Sequence, residues 1–200
     1  MNRREAKFVK KYMSLAKYIA ETNDVCYSRQ IGVVIVDSNF NKVISIGYNG
    51  PPRKIHHCDS PEHLQKIFLP QIDQHDKFLL TNMMKTRVFD EDKFIKTYSN
   101  CKICPRKLLN CKSGERLNLC TCVHAETNAI VNAGCNLEGT FMFAWCPLPC
   151  IECTKLIINS GIKRVYCYKE DKDYSFGSRY LFDECCVKII ETEKNEVKST

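Results

Sequence analysis

The sequence predicts an α/β protein in three layers, with a central sheet of about five strands covered by helices on both faces. Three observations predict it. Short β-branched runs recur between turn residues, as at Ile31–Val36 and Ile162–Tyr168. Stretches with apolar residues at helical spacing separate those runs. Taken in order, the elements read α-β-β-α-β-α-β-α-β.

Residues 2–21 place Phe8, Tyr12, Leu15, Ala16 and Ile19 at helical spacing, so an amphipathic helix opens the fold. Ile31–Val36 and Val43–Ile46 flank Asp37-Ser-Asn-Phe-Asn41, which has the composition of a hairpin turn. Gly47-Tyr-Asn-Gly-Pro-Pro52 then ends the second strand. Ser60-Pro61-Glu62 has the form of a helix cap, with Ser at N-cap and Pro at the first helical position. Leu64, Ile67, Phe68, Phe78, Leu79 and Met83 mark helical pieces after it. His124–Gly134 reads as a helix with Gly134 at its C′ position. A strand at Gly139–Trp145, a helix at Leu148–Ser160 closed by Gly161, and a strand at Ile162–Tyr168 follow. A short helix at Tyr180–Glu184 and a strand at Val187–Ile190 complete the core, and Glu191–Thr200 reads as a frayed, charged tail. One domain is expected over residues 1–200, with residues 59–100 an insertion within it.

With 44% hydrophobic residues the chain can bury a full core. No apolar run approaches the roughly 20 residues that span a bilayer, and no membrane partner is expected. The charged start, Met-Asn-Arg-Arg-Glu-Ala-Lys, lacks the apolar stretch of an export signal. The 14 cysteines therefore read as reduced thiols in a cytoplasmic setting (the host's, for a viral source), where clustered pairs point to metal. Cys135, Cys146, Cys167, Cys185 and Cys186 fall in predicted strands or at their borders and read as core. The net charge of +7 is that of a solvated surface and also suits an anionic small substrate. Nothing in the sequence interleaves aromatic and basic residues in the way that tracks a nucleic-acid strand.

The chemistry is concentrated in two segments, His124-Ala-Glu126 and Pro149-Cys-Ile-Glu-Cys153. A catalytic zinc takes three protein ligands and keeps one position open. Both segments start helices, where backbone N–H groups and the helix dipole favour thiolates. Cys150 and Cys153, three residues apart, share one helical face, and His124 supplies a nitrogen. Glu126, two residues on, is placed to face the open position as general acid and base. A four-ligand structural zinc would have no use for a carboxylate at that offset. The H-x-E…P-C-x-x-C pattern resembles the signature of zinc-dependent base deaminases.

Over most of its length the chain further resembles deoxycytidylate (dCMP) deaminases. The resemblance is carried by Ser28-Arg-Gln-Ile-Gly-Val-Val-Ile-Val36, Gly47-Tyr-Asn-Gly-Pro-Pro-Arg53, Val123-His-Ala-Glu-Thr-Asn-Ala-Ile130, Pro149–Cys153 and Lys155–Tyr166. It implies the cytidine-deaminase form of the α-β-α fold and zinc-dependent hydrolysis of dCMP to dUMP and ammonia, feeding thymidylate synthesis. It also implies Asn49 on the sugar hydroxyl and Arg29 on the 5′-phosphate, with Arg53 and Lys54 as further options. Tyr174 or Phe176 would stack on the pyrimidine. A homo-oligomer, a hexamer in many such enzymes, activated by dCTP and inhibited by dTTP, is implied too, with Mg2+ accompanying the nucleotide effector. Cys26, Cys58, Cys104 and Cys120 resemble the cysteines of a bacterial subgroup and imply a second, structural zinc. His57, Cys101, Cys111 and Cys122 stand as alternative members of that set. Two rival readings remain: an editing deaminase on single-stranded nucleic acid or tRNA, and a non-catalytic zinc-binding interaction module.

Overall fold

The computed structural model describes residues 3–23, 25–112, 114–170 and 176–194. In chain order its elements are α1 (Arg3–Thr22), β1 (Gly32–Val36), β2 (Val43–Tyr48), α2 (Pro61–His63), α3 (Gln74–Met83), α4 (Glu91–Tyr98), α5 (Pro105–Leu108), α6 (Ala125–Ala133), β3 (Phe141–Ala144), α7 (Ile151–Asn159), β4 (Arg164–Tyr168), α8 (Phe176–Glu184) and β5 (Lys188–Thr192). Backbone contacts group them into two units. The first comprises Met1–Asp24, Gln30–Asn49 and His124–Thr200; the second comprises Val25–Arg29 and Gly50–Val123, and so contains all of the 59–100 segment.

The first unit is the sheet with its helices. Strand order is β2-β1-β3-β4-β5. β1 pairs antiparallel with both β2 and β3, while β3–β4 and β4–β5 are parallel. Asp37 shapes the β1–β2 turn by accepting from the backbone N–H groups of Asn41 and Lys42, both at 2.7 Å. Every residue of β1 and β3 is buried, which is why both read as unbroken apolar runs. Alternate side chains go to opposite faces. Val34, Val36 and Phe143 pack with Val9, Tyr12, Met13 and Ala16 of α1. Val33, Ile35, Met142 and Ala144 join Ala125 and Ala129 of α6, Ile157 of α7 and Phe182 of α8. The expected layering, helices on both faces of a five-stranded sheet, is what forms.

β2 and α6 approach closely, and this contact sets the site. Ser45 Oγ donates to the Ala129 carbonyl at 2.6 Å, and Asn128 Nδ2 donates to the Tyr48 carbonyl at 2.8 Å. Gly47 sits between them without a side chain: a methyl built there would overlap the Ala125 carbonyl and the Ala129 backbone nitrogen.

The second unit has its own small core of Leu64, Phe68, Leu69, Ile72, Leu80, Phe94, Leu108, Leu109 and Leu119. Ser60 caps α2 by accepting from the His63 N–H at 3.1 Å, with Pro61 following as expected. The helical path then loosens to a π turn at Leu64–Phe68 and tightens to a 3-10 turn at Leu69–Gln71, where Pro70 has no N–H to offer. None of the described helices is long and apolar enough to cross a membrane.

Several sequence expectations need correction. The helical pieces expected from Leu64 to Met83 do form, but within α3 Phe78 and Met83 are exposed and Leu80 is the buried apolar residue. The phase of that helix is set by the Asp73–Asp76 capping box and by a buried Asp76 paired with Arg116, signals that apolar spacing does not carry. α8 begins at Phe176, earlier than expected, and β5 runs on to Thr192, into the segment expected to fray. There Glu191 pairs with Arg179 and Thr192 donates to the Cys167 carbonyl. Cys146 and Cys167 are core, but Cys135, Cys185 and Cys186 are exposed because they lie where α6 and α8 give way to turns.

Gly47→Ala is expected to lower stability by about 1–3 kcal/mol, the usual cost of forcing a methyl into a packed contact. Thermal and urea unfolding of the variant measure this directly; an unchanged midpoint would show that β2 and α6 do not constrain each other.

Candidate active site

Two helix starts build the site. His124 is the N-cap residue of α6 and Cys150 that of α7, both with extended backbone and neither side chain spent on capping its own helix. In the case of α6, Asn49 at the end of β2 takes over: its Oδ1 accepts from the Ala125 N–H at 2.8 Å. Released from that task, the His124 imidazole turns to the cysteines. Its Nδ1 lies 3.3 Å from Cys153 Sγ and 3.4 Å from Cys150 Sγ. The three ligand atoms all fall within 4.8 Å of one another.

The electrostatics of this cluster are those of a metal site. The Cys150 thiol is held far below the ordinary thiol value, first by the hydrogen bond from Cys153 and then by His124. Cys153 is pushed up by the same bond and by burial. Two sulfurs and one imidazole nitrogen at helix N-termini are the donor set zinc favours. Glu126, in the first turn of α6, is 3% exposed. Burial raises its carboxyl pKa, and its Oε2 has no hydrogen-bond partner among the described residues. An orphaned carboxylate oxygen beside three soft donors fits a site that holds zinc and water.

The cluster agrees with the family match. A family model for the cytidine and deoxycytidylate deaminase zinc-binding region matches residues 6–169. The chain belongs to that family. Zinc is accordingly its metal. A deoxycytidylate deaminase of Schizosaccharomyces pombe is 27% identical over 155 residues, 77% of this chain, and the chain spans 34% of that relative's length. A deoxycytidylate deaminase of Enterobacteria phage T2 is 29% identical over 163 residues, 78% of each protein. The crystal structure of a dCMP deaminase from cyanophage S-TIM5 in complex with dCMP and dUMP superposes with a TM-score of 0.54 at 18% identity, covering 96% of this chain and 99% of that one. Its fold is the fold of this deaminase domain.

The other sequence candidates are distributed more widely. Asn49 is buried at the first turn of α6, as described. Arg29, Arg53 and Lys54 belong to the second unit and are all exposed. Tyr174 lies outside the described residues; Phe176 opens α8 and is 78% exposed. Cys26, Cys58 and Cys104 are buried in the second unit, with Cys120 half-buried beside them. Cys122 joins them as a fifth member: its thiol bonds with those of Cys120, Cys26 and Cys58. That bond lowers the pKa of Cys120 and raises that of Cys122, whereas Cys104 is raised chiefly by burial. The Cys-x-Cys spacing of Cys120 and Cys122 was the available sequence signal for the fifth thiol.

His124→Ala and Cys150→Ala are each expected to strip zinc from this site while leaving the folded core intact. Metal analysis by plasma mass spectrometry, with circular dichroism as control, checks it. Zinc retained at the wild-type level would remove both residues from the ligand set.

Proposed function

We propose that the protein is a hydrolytic deaminase that converts dCMP to dUMP and ammonia. The observation that carries the reading is the buried Glu126 carboxylate, one oxygen unpartnered, next to the His124, Cys150 and Cys153 donors. In this reading those three residues hold the zinc. When bound, zinc supplies a Lewis acid that makes water nucleophilic at neutral pH. Glu126 accepts a proton from the attacking water and delivers it to N3 of the cytosine ring as the new oxygen adds to C4. It then carries the second proton, from the new C4 hydroxyl, to the exocyclic nitrogen; the C4–N bond breaks, the C4 carbonyl forms and ammonia leaves. Burial suits Glu126 to this traffic, because a desolvated carboxylate binds protons more readily than an exposed one.

Substrate choice rests on the Gly47-to-Arg53 motif and on the names of the yeast and phage relatives. Asn49 would offer its amide to the sugar while its carbonyl stays with Ala125. Arg29, Arg53 and Lys54 are the cations available to a 5′-phosphate, and Tyr174 is the proposed stacking residue. The second unit would hold a structural zinc on four of the five thiols Cys26, Cys58, Cys104, Cys120 and Cys122. A cytoplasmic homo-oligomer answering to dCTP and dTTP, with Mg2+ on the nucleotide, belongs to the same reading through its resemblance to dCMP deaminases.

Glu126→Ala is expected to retain zinc and to lose at least about a hundredfold in turnover, the usual contribution of a general acid and base. Ammonia release from dCMP, deoxycytidine, dCTP and a cytosine-bearing oligonucleotide tests the reaction and the substrate together. Preference for the oligonucleotide would replace the mononucleotide reading with an editing one, and no release from any of the four would leave a zinc-binding module. Wild-type protein is expected to contain two zinc ions per chain and Cys58→Ser only one. A single ion in the wild type would overturn the second site.

A further inference from the structure

Glu126 has one protein neighbour that its catalytic role does not yet explain. Cys146 follows β3 by two residues and is 3% exposed, so it is closed to solvent. Its backbone is fixed from both sides: the Cys146 carbonyl accepts from the Tyr168 N–H at 3.0 Å, and the preceding Trp145 N–H donates to the Gly32 carbonyl at 2.8 Å. These bonds fix the backbone from which the side chain projects. Its thiol points at Glu126, with Sγ 3.9 Å from Oε1, while Oε2 is the oxygen without a partner. Ala125, Ala129 and Leu148 belong to the same buried apolar cluster as Cys146.

We infer that Cys146 is a positioning residue for Glu126: its S–H donates to Oε1 and fixes the carboxylate so that Oε2 is the oxygen presented for proton exchange. The inference rests on the reading of Glu126 as proton carrier. The physical reason is orientational. A carboxylate side chain has several rotamers, and only some direct an oxygen at the reacting atoms. A donor on a rigid strand end selects among them. A thiol is a weak donor, but a buried hydrogen bond is electrostatically stronger than one in water. As a mere filler of core space, Cys146 would be replaceable by any apolar side chain of its size.

That difference makes the test. Cys146→Val and Cys146→Ala remove the donor, and Cys146→Ser restores one at the same place. For each variant, zinc content, melting temperature, kcat and KM for dCMP are measured. Val and Ala are expected to keep zinc and KM while kcat falls on the order of tenfold, the scale on which a misplaced reacting group is felt. Ser is expected to recover most of kcat even though a hydroxyl is less welcome than a methyl in this core. Activity would then run against stability, which a filler cannot produce. Wild-type kcat in the Val variant, or a Ser variant no faster than Val, would overturn the inference. If Val fails to fold, the Ala and Ser pair decides in the same way. Glu126→Gln separates this result from the reading beneath it. If Glu126→Gln is inactive while Cys146→Val runs at the wild-type rate, the positioning role alone falls. Full activity in Glu126→Gln would remove the proton carrier and the positioning role together.

Discussion

The close packing of β2 on α6 is the constraint from which the site follows. Gly47 lets the strand backbone reach the helix backbone, and Ser45 and Asn128 bond across the contact. Asn49, on the next turn of chain, then arrives at the Ala125 N–H and caps the helix in place of the residue that would ordinarily do so. A histidine at an N-cap is a poor cap; here it need not be one. Its ring is left to face α7, whose own N-cap residue is Cys150. The three donors meet because the two helices begin by the C-terminal ends of β2 and β3, on the same edge of the sheet, the place where open α/β sheets generally bind ligands.

Burial gives this arrangement its direction. Glu126 lies in the first turn of α6 and is shielded from solvent, so its carboxylate is destabilised in the charged form and has few protein groups to satisfy it. In a purely structural protein such a residue would be a liability of 1–3 kcal/mol or so for each unsatisfied group. Polar groups left short of partners in a native core ask for an explanation, and water beside a metal is the one this donor set provides. The geometry and the family match therefore say the same thing by independent routes.

Most of the first unit was legible because its signals are local. The all-buried strands β1 and β3 read as continuous apolar runs, Gly134 and Gly161 punctuate the helix ends, and His124, Glu126, Cys150 and Cys153 have spacings that one turn of helix converts directly into proximity. What was missed depended on long-range partners. Leu80 is buried in place of Phe78 because Asp76 must reach Arg116, 40 residues away. Glu191 and Thr192 stay in β5 because Arg179 and the Cys167 carbonyl hold them. Cys146 looked like any core cysteine, since nothing in its neighbourhood of sequence reveals that β3 delivers its thiol to a residue 20 positions earlier.

The position of the second unit in the chain has a consequence of its own. Apart from Val25–Arg29, it enters after Asn49 and leaves before His124, and those two residues flank a single contact, the cap on Ala125. Within the second unit the matching ends are also joined: Gly50 and Val123 exchange two backbone hydrogen bonds, at 3.2 and 2.8 Å. An excursion whose ends are pinned together imposes only a closure cost on its host, and that cost grows slowly with length, by about 0.6 kcal/mol for each doubling. A connection closed in this way, such as Gly50–Val123, can be long and cysteine-rich at little cost in closure. Within itself the second unit has a modest apolar core and a cluster of thiols. Two groups of cysteines thus coexist in one chain: Cys146, Cys150 and Cys153 lie beside Glu126 and His124, and Cys26, Cys58, Cys104, Cys120 and Cys122 lie together in the second unit.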